Sequence, residues 1–198
     1  DVLEELRVKE QVHIIESLPL EKAADVLEKM PANEAADLMD HLEEDKTEQL
    51  LLEMEPEASE EVRDLLEYPD GTIGSLMTSD ILTFTAEQTI SEAINQIRAE
   101  KPEMESLYSL FVVNENNILK GIVTMRDLLV SDPQAPLERV MNTNLNCVND
   151  YDGLDEISGI VSKYNLLAVP VTNDHDELEG MVVIDDLFDE LLGKRRAS

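Results

Sequence analysis

The fold is decided by two stretches, Gly121-Ile122-Val123-Thr124-Met125-Arg126-Asp127-Leu128-Leu129 and Gly180-Met181-Val182-Val183-Ile184-Asp185-Asp186-Leu187-Phe188. Their glycines, at positions 121 and 180, are 59 residues apart, and so are their aspartates at 127 and 186. In each stretch a β-branched run predicts a strand, and the aspartate opens a helical pattern. An apolar run and a polar turn precede both stretches, at Leu110-Phe111-Val112-Val113 and Ala168-Val169-Pro170-Val171. We therefore predict a strand, a second strand and a helix, twice over.

Further outward, each copy begins in the same way. Met77-Thr78 opens the first and Met141-Asn142 the second, and each is followed by a short strand, Leu82-Thr83-Phe84 or Leu145-Asn146-Cys147-Val148. An amphipathic helix then completes the order strand, helix, strand, strand, helix. This order resembles the CBS motif, and that resemblance implies that the two copies pack into one pseudo-symmetric unit.

The residues before this pair have a different period. Five copies of an apolar triplet recur every twelve residues, at Asp1-Val2-Leu3-Glu4-Glu5-Leu6, His13-Ile14-Ile15-Glu16-Ser17-Leu18, Asp25-Val26-Leu27-Glu28-Lys29-Met30, Asp37-Leu38-Met39-Asp40-His41-Leu42 and Gln49-Leu50-Leu51-Leu52-Glu53-Met54. In one continuous helix this period would turn the apolar face by about a third of a circle per copy. Pro19, Pro31 and Pro56 fall at the ends of copies and stop a helix there. The pattern predicts short helices stacked into a superhelix.

We therefore expect an α+β multi-domain chain. An all-α superhelix of short repeated helices occupies residues 1–68, where the turn residues Tyr68-Pro69-Asp70-Gly71 end the pattern. A linker at 69–76, a first CBS motif at 77–137, a second at 138–190 and the start of a further helix at 191–198 complete the α/β part.

The composition excludes several classes of function. Forty-five acidic against fifteen basic residues leave a net charge of −30, which repels nucleic acid and attracts cations or basic partners. The chain has one cysteine, Cys147, which fits a reducing compartment and a buried thiol. No apolar run reaches the roughly 18 residues of a membrane span, so we expect a soluble, cytoplasmic piece. Because the chain begins with Asp1 and ends at Ser198 without helix stop signals, we interpret it as a fragment.

The sequence also lacks the motifs that are typical of enzymes. It contains neither a nucleophile elbow nor a phosphate-binding glycine loop nor a Cys/His pair, and only seven glycines are available for such loops. His13, His41 and His175 are dispersed, without the spacing of a transition-metal site, so solvated or capping roles are expected. We predict that the chain is not an enzyme.

One group of residues fits a nucleotide pocket. In CBS pairs that bind adenine nucleotides, a hydroxyl residue three positions before an aspartate contacts the ribose, and Thr124 and Asp127 match that pattern. Arg126 could pair with a phosphate and Tyr108 could stack on a base. The alternative is that Thr124 and Asp127 only cap a helix. In the second motif Val183 and Asp185-Asp186 replace the corresponding residues, which disfavours a nucleotide there.

Carboxylates cluster at helix starts in the second copy. Asp186 and Asp189 are three positions apart and can share a cation, and Asp155 and Glu156 open the preceding helix. Alternatively, these side chains only complement the helix dipoles. Oxygen ligands without histidine or cysteine clusters favour Mg²⁺ or Ca²⁺, and in the absence of an EF-hand loop we expect Mg²⁺.

As a whole, an acidic superhelix, the stretch Tyr68-Pro69-Asp70-Gly71-Thr72-Ile73-Gly74-Ser75-Leu76-Met77-Thr78 and two CBS motifs resemble the cytosolic region of MgtE-type magnesium transporters. The resemblance implies a homodimer through the CBS motifs on the cytoplasmic side of a membrane, joined through residues 191–198 to its own transmembrane domain. It also implies that bound Mg²⁺ closes the pore by screening repulsion between acidic surfaces.

The implied metal ligands are carried over by position. Family acidic ligands fall on Asp1, Asp37, Asp155, Asp186 and Asp189, which match. Three other family aspartates would fall on Asn33, Gly153 and Asn165, where this sequence departs from the family, although Glu34 and Asp152 are adjacent to the first two. A main-chain contact would fall on Ser75. The resulting candidate set is Asp1, Asn33, Glu34, Asp37, Ser75, Asp152, Asp155, Asp186 and Asp189.

Two other functions fit the same sequence. In one, the CBS pair senses an adenine nucleotide such as ATP through the Thr124–Asp127 pattern, and the acidity is incidental. In the other, the repeats offer an acidic scaffold to a basic protein partner.

Overall fold

A computed structural model describes residues 6, 8–157, 160 and 167–191, with side chains as far as residue 188, and shows a helical part followed by two small sheets. The expected α+β fold class is confirmed. The helical part consists of α1 (Val8–Ser17), α2 (Leu20–Leu27), α3 (Ala32–Asp40), α4 (Glu44–Glu53) and α5 (Pro56–Leu66). α1 packs on α3, α2 on α4, and α3 on α5. Among the described residues, this packing buries apolar side chains of the second to fifth repeats, such as Ile15, Leu27 and Leu50, as short helices require.

The prolines of the repeats begin helices as well as separating them. Pro19 and Pro31 stand directly before α2 and α3 with extended backbone angles, ψ 144° and ψ 138°. Pro56 is the first residue of α5. The first turn of a helix has unpaired N–H groups in any case, so a proline costs least there. The break between copies is therefore also the start of the next helix.

The two sheets have the same topology. The first contains β1 (Thr83–Thr85), β2 (Leu110–Val113) and β3 (Leu119–Val123), and the second contains β4 (Val148–Asn149), β5 (Ala168–Thr172) and β6 (Leu178–Val183). In both, the middle strand pairs in parallel with the first and antiparallel with the third. Helix α6 (Ile90–Glu100) connects β1 to β2, α7 (Met125–Val130) follows β3, and α9 (Ile184–Leu191) follows β6. A helix α8, described at 154–157 and 160, follows β4.

The two repeated glycines lie where the two copies contact each other. Asn142, at the start of the second copy, bridges to Ile122 in β3, and Thr78, at the start of the first, bridges to Met181 in β6. A Cβ on Gly121 would lie 2.5 Å from the Met141 sulfur. One on Gly180 would lie 2.4 Å from the carbonyl oxygen of Thr78. Both glycines thus allow the opening segment of the other copy to pass close to a strand.

The helical part and the second sheet share one hydrophobic core, although they are separated in sequence. One cluster of buried residues runs from the helices, for example Ile15 and Leu38, through Ile73 to Val169 and Val182 of the second sheet. The first sheet has its own core around Phe84 and Leu110. The helical part therefore packs with the second CBS motif, although the first follows it in the chain.

Candidate functional site

A cavity of about 370 Å³ lies between the helical part and the segment that leads into the sheets. We call it the junction cavity. Three of its lining residues are carboxylates, Asp37 and Asp40 from α3 and Asp70 from the turn after α5. Its further lining residues are Val8, Ala36, His41, Leu65, Leu66, Tyr68, Gly71, Ser75, Leu76 and Leu154. The cavity thus brings together two candidate ligands, Asp37 and Ser75, that are far apart in sequence.

Local hydrogen bonds position both sides of the junction cavity. The Ser75 hydroxyl donates to the carbonyl oxygen of Thr72 at 2.9 Å, and the Thr72 hydroxyl donates to that of Pro69 at 2.8 Å. On the α3 side, Nδ1 of His41 lies 2.8 Å from the carbonyl oxygen of Asp37. Oxygen atoms dominate the polar wall, which suits a hard cation that keeps part of its water shell.

The other candidate metal ligands do not line this cavity. Asp152 accepts a hydrogen bond from the Asn149 N–H at 3.0 Å, Asp155 is exposed in the first turn of α8, and Asp186 is half-buried in the first turn of α9. Asn33 and Glu34 lie at the start of α3. Among the residues that the structure describes, no three His, Cys, Asp or Glu side chains gather closely enough to hold an ion by themselves. Asp1, Asn165 and the side chain of Asp189 lie outside the described residues.

Asn33 has an unusual environment. It is 6% exposed, and its Oδ1 atom has no hydrogen-bond partner among the described residues. Buried side-chain oxygens are rarely left unpaired in this way. The chemistry of this position, a buried acceptor at the start of a helix, fits an oxygen ligand.

A second set of contacts fixes the helical part on the second CBS motif. The Tyr68 hydroxyl donates to Oδ2 of Asp150, which is 5% exposed. The backbone N–H groups of Ile73 and Gly74 donate to the carbonyl oxygens of Asp152 and Asp150 at 2.8 and 2.7 Å. Burial and the neighbouring Asp150 raise the pKa of Tyr68 above its usual range. This junction is therefore closed by both main-chain and side-chain bonds.

Carboxylates of both parts face each other next to this contact. The pKa of Glu179 on β6 is raised by burial, although the Asn173 side chain lowers it, and the charges of Asp150, Glu177 and Asp64 raise it further. The pKa of Glu61 on α5 is raised by burial and by Asp80, Glu57 and Asp64. Like charges from the helical part and the sheets thus lie within range of one another.

A second cavity, of about 430 Å³, lies between the two CBS motifs, and we call it the inter-motif cavity. All four candidate nucleotide residues, Tyr108, Thr124, Arg126 and Asp127, line it. Its further lining residues are Leu107, Ser109, Ile122, Met125, Asn142, Asn144, Asn146, Leu167, Ala168 and Pro170. An apolar cavity with a few polar groups is typical of a small-molecule site.

Thr124 and Asp127 form a capping box at the start of α7. The Thr124 hydroxyl and N–H donate to Oδ2 of Asp127 at 2.6 and 3.1 Å, and the Asp127 N–H donates back to the Thr124 hydroxyl at 3.2 Å. The capping alternative is therefore confirmed. Both residues nevertheless line the inter-motif cavity, so capping and ligand contact are compatible.

Sequence reasoning missed several lining residues. Asp40 follows Asp37 by three positions in one helix, so the i, i+3 rule could have indicated it. Asp70 was assigned only to a turn. The alternating asparagines 142, 144 and 146 form a visible sequence pattern, but their place in the same cavity as Arg126 depends on how the two motifs pack. Such a long-range contact has no local sequence signal.

The remaining predictions concern isolated residues. His13 and His175 are exposed, and His41 contacts the last turn of α3, as expected for solvated or capping roles. Cys147 is half-buried against the core between the two sheets, and burial raises its pKa. In the second motif Val183 is buried at the end of β6 while Asp185 is exposed.

Family models match nearly the whole chain. A model described as the MgtE intracellular N domain matches residues 1–71, and the CBS domain model matches residues 73–132 and 137–193. Among curated proteins, the chain is 33% identical over 129 residues to the magnesium transporter MgtE of Enterococcus faecalis and 30% identical over 131 residues to that of Thermus thermophilus. These matches cover 65% and 66% of this chain but only 28% and 29% of the relatives.

Two solved structures share the fold of the chain. The crystal structure of the soluble part of a magnesium transporter matches with a TM-score of 0.83 and 27% identity, covering 99% of this chain and 82% of that one. The cytosolic domain of the Mg²⁺ channel MgtE in complex with ATP matches with a TM-score of 0.71 and 24% identity, covering 96% and 92%. Within the described residues, each helix is too short or too polar to cross a bilayer.

Proposed function

Because the chain belongs to the MgtE family, as an intracellular N domain joined to a pair of CBS domains, we propose that it is the Mg²⁺-sensing regulatory region of a magnesium transporter. It senses cytosolic Mg²⁺ through carboxylates at the contact between the N domain and the CBS pair. The observation that carries this proposal is the junction cavity, in which Asp37 and Asp40 of the N domain meet Asp70 and Ser75 of the connecting segment.

The charge of these residues is the reason why we expect the contact to depend on a cation. Two like charges about 4 Å apart repel by roughly 4 kcal/mol at an effective dielectric of about 20. The chain as a whole carries −30. Mg²⁺ bound there supplies positive charge and holds waters between the carboxylates, since it is usually bound by one or two carboxylates plus water. Loading therefore favours the compact arrangement, and in the full transporter the compact arrangement closes the pore.

Several weak sites suit this role better than one tight site. A site filled tenfold above its dissociation constant stabilises the loaded state by about 1.4 kcal/mol. Near-complete switching requires about 5.5 kcal/mol. About four sites are therefore needed, and we assign the additional ones to the surfaces around Asn33 and Glu34, Asp152 and Asp155, and Asp186 and Asp189. A response built in this way is cooperative and reversible.

The test is a Mg²⁺ titration of the 198-residue chain followed by small-angle X-ray scattering. We expect the radius of gyration to fall between micromolar and tens of millimolar Mg²⁺. The double variant Asp37→Asn, Asp40→Asn should shift the midpoint to higher Mg²⁺, whereas Asp25→Asn on the exposed face of α2 should not. A radius that stays constant in the unaltered chain contradicts the proposal.

A second function is favoured by the inter-motif cavity. We propose that it binds an adenine nucleotide, because Tyr108, Thr124, Arg126 and Asp127 line one cavity of about 430 Å³. A protein of the same fold was solved in complex with ATP. Calorimetry with ATP and AMP, with and without Mg²⁺, tests this proposal, and the absence of heat for both nucleotides would reject it.

Family membership also supports two proposals about the partners of the chain. We propose a homodimer through the CBS pair, since exposed apolar side chains lie on α7 and α9, including Leu129 at 75% and Phe188 at 50% exposure. The chain spans less than a third of the MgtE relatives that it matches, so we also propose a transmembrane domain of the same polypeptide as a partner. We also propose the domain boundaries expected from the sequence, which are 1–68, 69–76, 77–137, 138–190 and 191–198. The end of α5 at Leu66 and the start of β1 at Thr83 support them.

A further inference from the structure

Three carboxylates of α5 lie on one face of that helix. Glu57, Glu61 and Asp64 are separated by four and three positions, which places their side chains on the same side of an α-helix. Tyr68 follows one helical turn later, just past the end of α5, and its hydroxyl donates to Oδ2 of Asp150 at 3.2 Å. The face that carries these carboxylates is therefore directed towards the second CBS motif.

The opposing surface is the free edge of the second sheet. β6 is the last strand of that sheet, and Thr78 pairs with Met181 on its outer side through main-chain hydrogen bonds of 2.9 and 3.0 Å. This pairing brings Asp80 next to β6, and the Ser106 hydroxyl donates to Oδ2 of Asp80 at 3.0 Å. Glu179 lies on β6 itself and is half-buried. We call the contact between these two surfaces the acidic seam, with the carboxylates Glu57, Glu61, Asp64, Asp80 and Glu179.

The charges that act on Glu61 across the seam are negative. Burial is the largest cause that raises its pKa, and the carboxylate of Asp80 on the opposite side is the next. Glu57 and Asp64, from its own helix, raise the pKa further. The proton of Glu61 is therefore held more firmly in this contact than it would be in water.

Glu179 has a similar environment. Burial is the largest cause that raises its pKa, whereas the hydrogen bond from the Asn173 side chain lowers it. The charges of Asp150, Glu177 and Asp64 raise it again, and Asp64 belongs to the opposite side of the seam. Carboxylates of α5 and of the second CBS motif thus repel each other across this contact.

The other titratable groups of this region do not relieve the repulsion. Arg63, the basic residue of α5, pairs with Glu48 of α4, and the two atoms that form this ion pair are 3.3 Å apart. Tyr68, beside Glu179, has a pKa raised above its usual range and stays neutral. Closing the seam therefore brings like charges together, and a proton bound by one of the carboxylates lowers that cost.

We propose that the acidic seam is a proton-sensitive contact, in which protonation of Glu61 and Glu179 favours the arrangement with the N domain docked on the second CBS motif. The inference rests on the Mg²⁺-dependent compaction proposed above and adds a second regulator to it. Because both carboxyl groups have a higher pKa in the docked arrangement than when the surfaces separate, docking is favoured as pH falls towards the ordinary carboxyl range. It is opposed as pH rises through the docked-state pKa values.

Protons and Mg²⁺ act on different groups in the same direction. The carboxylates of the seam are not among the candidate metal ligands, so a proton bound there displaces no ion. Carboxylates with an ordinary pKa of about 4 stay ionised between pH 5.5 and 7.5 and keep their ability to bind Mg²⁺. Acidification within this range should therefore lower the Mg²⁺ concentration that compaction requires.

The experiment is small-angle X-ray scattering of the 198-residue chain at pH 7.5, 6.5 and 5.5, first in EDTA and then in Mg²⁺ titrations. In EDTA we expect the radius of gyration to fall as the pH is lowered. In the titrations we expect the Mg²⁺ midpoint of compaction to be about two- to fivefold lower at pH 5.5 than at pH 7.5, a modest factor because the carboxylates are partly exposed.

The double variant Glu61→Gln, Glu179→Gln removes both titrating groups. Glutamine keeps the shape of glutamate and an oxygen that accepts the Asn173 hydrogen bond at position 179, so the variant should fold, and thermal unfolding checks this. At pH 7.5 it should have the low Mg²⁺ midpoint that the unaltered chain shows at pH 5.5, and its midpoint should no longer depend on pH. Glu21→Gln, Glu100→Gln is the matched control, since it removes the same charge at exposed positions outside the seam and should keep the pH dependence.

The outcomes separate this inference from the function on which it rests. If the Mg²⁺ midpoint of the unaltered chain is the same at all three pH values, or if the two double variants behave alike, the proton-sensitive contact is wrong although Mg²⁺ sensing stands. If acid compacts the chain in EDTA but Mg²⁺ compacts it at none of these pH values, the proton-sensitive contact stands and the Mg²⁺ proposal is wrong. A radius that is constant under all conditions contradicts both.

Discussion

The hydroxyl oxygen of Tyr68 lies 3.2 Å from Oδ2 of Asp150, so a side-chain hydrogen bond joins the N domain to the second CBS motif across 82 positions of sequence. Asp150 is almost fully buried, and its other oxygen accepts the N–H of Tyr151 at 3.0 Å. The phenol therefore provides part of the solvation that a buried carboxylate needs.

Tyr68→Phe removes this bond and keeps the ring. We expect it to destabilise the chain by about 1.5–3 kcal/mol, since a buried charged acceptor loses a partner. Tyr151→Phe is the matched control, because Tyr151 is 61% exposed and its ring lies 5.3 Å from that of Tyr68. Urea unfolding measures both variants, and equal losses of stability would contradict the role given to the Tyr68–Asp150 bond.

Gly74→Ala tests the packing at the same junction. A Cβ at Gly74 would lie 2.3 Å from Cδ1 of Tyr68, so the ring would have to move. We expect a loss of roughly 1–3 kcal/mol. At Gly153 an added Cβ meets no described heavy atom within 4 Å, so Gly153→Ala should be nearly neutral. Thermal unfolding of the two variants measures this difference in stability. If Gly74→Ala does not lower stability, the Tyr68 ring can move aside without cost and the packing argument is wrong.

The acidic contact predicts a dependence of stability on pH. The folded-state pKa of Glu179 is raised above its ordinary value of 4.5, chiefly by burial, so between these two pKa values Glu179 holds its proton more fully in the folded chain than in the unfolded chain. Stability therefore falls as pH rises through the folded-state pKa. Glu179→Gln removes the charge and should stabilise the chain at pH 7.5 by roughly 0.2–1 kcal/mol, a small value because Glu179 is partly exposed.

Urea unfolding between pH 4.5 and 7.5 provides the measurement. The stability of the Glu179→Gln variant should fall less steeply with rising pH than that of the unaltered chain. Glu100→Gln, at the exposed end of α6, should leave the slope unchanged. A slope that is the same in all three proteins would refute the assignment to Glu179.

Variants of the two capping boxes distinguish an effect on stability from an effect on ligand binding. Thr89 caps α6 together with Glu92, as Thr124 caps α7 together with Asp127. Thr89→Ala and Thr124→Ala should each cost about 1 kcal/mol of stability. Thr124→Ala alone should also weaken AMP binding, because only Thr124 lines the inter-motif cavity. Calorimetry and thermal unfolding of the two variants check this, and equal AMP affinities would leave Thr124 with a capping role only.

The proposed dimer predicts a difference between two exposed leucines. Leu129 on α7 and Leu52 on α4 are 75% and 77% exposed. Leu129→Glu should shift the chain from dimer to monomer, because it places a charge in an apolar interface. Leu52→Glu should leave the dimer intact. Sedimentation velocity at several concentrations measures the effect, and a monomeric unaltered chain would disprove the dimer itself.

The periodic features of the fold could be predicted from the sequence, because each is a local pattern. The apolar triplets and prolines indicated the short helices, and the paired glycines at 121 and 180 indicated the two motifs. The composition of the inter-motif cavity could be predicted in part, since Thr124, Arg126 and Asp127 are neighbours in sequence. Three features depend on packing between distant segments: the place of Asn146 in the same cavity, the shared cavity of Asp37 and Ser75, and the contact of Tyr68 with Asp150. No local pattern encodes them.

The core shared by the N domain and the second CBS motif has a consequence for synthesis. The first CBS motif lies between these two parts in the chain but has a separate core. On the ribosome the hydrogen bonds from Tyr68, Ile73 and Gly74 to Asp150 and Asp152 therefore cannot form until the start of the second CBS motif has been synthesised. At about 5–20 residues per second, synthesis from Gly74 to Asp152 takes roughly 4–16 s. A protein truncated after the first CBS motif lacks both acceptors and so cannot close this junction.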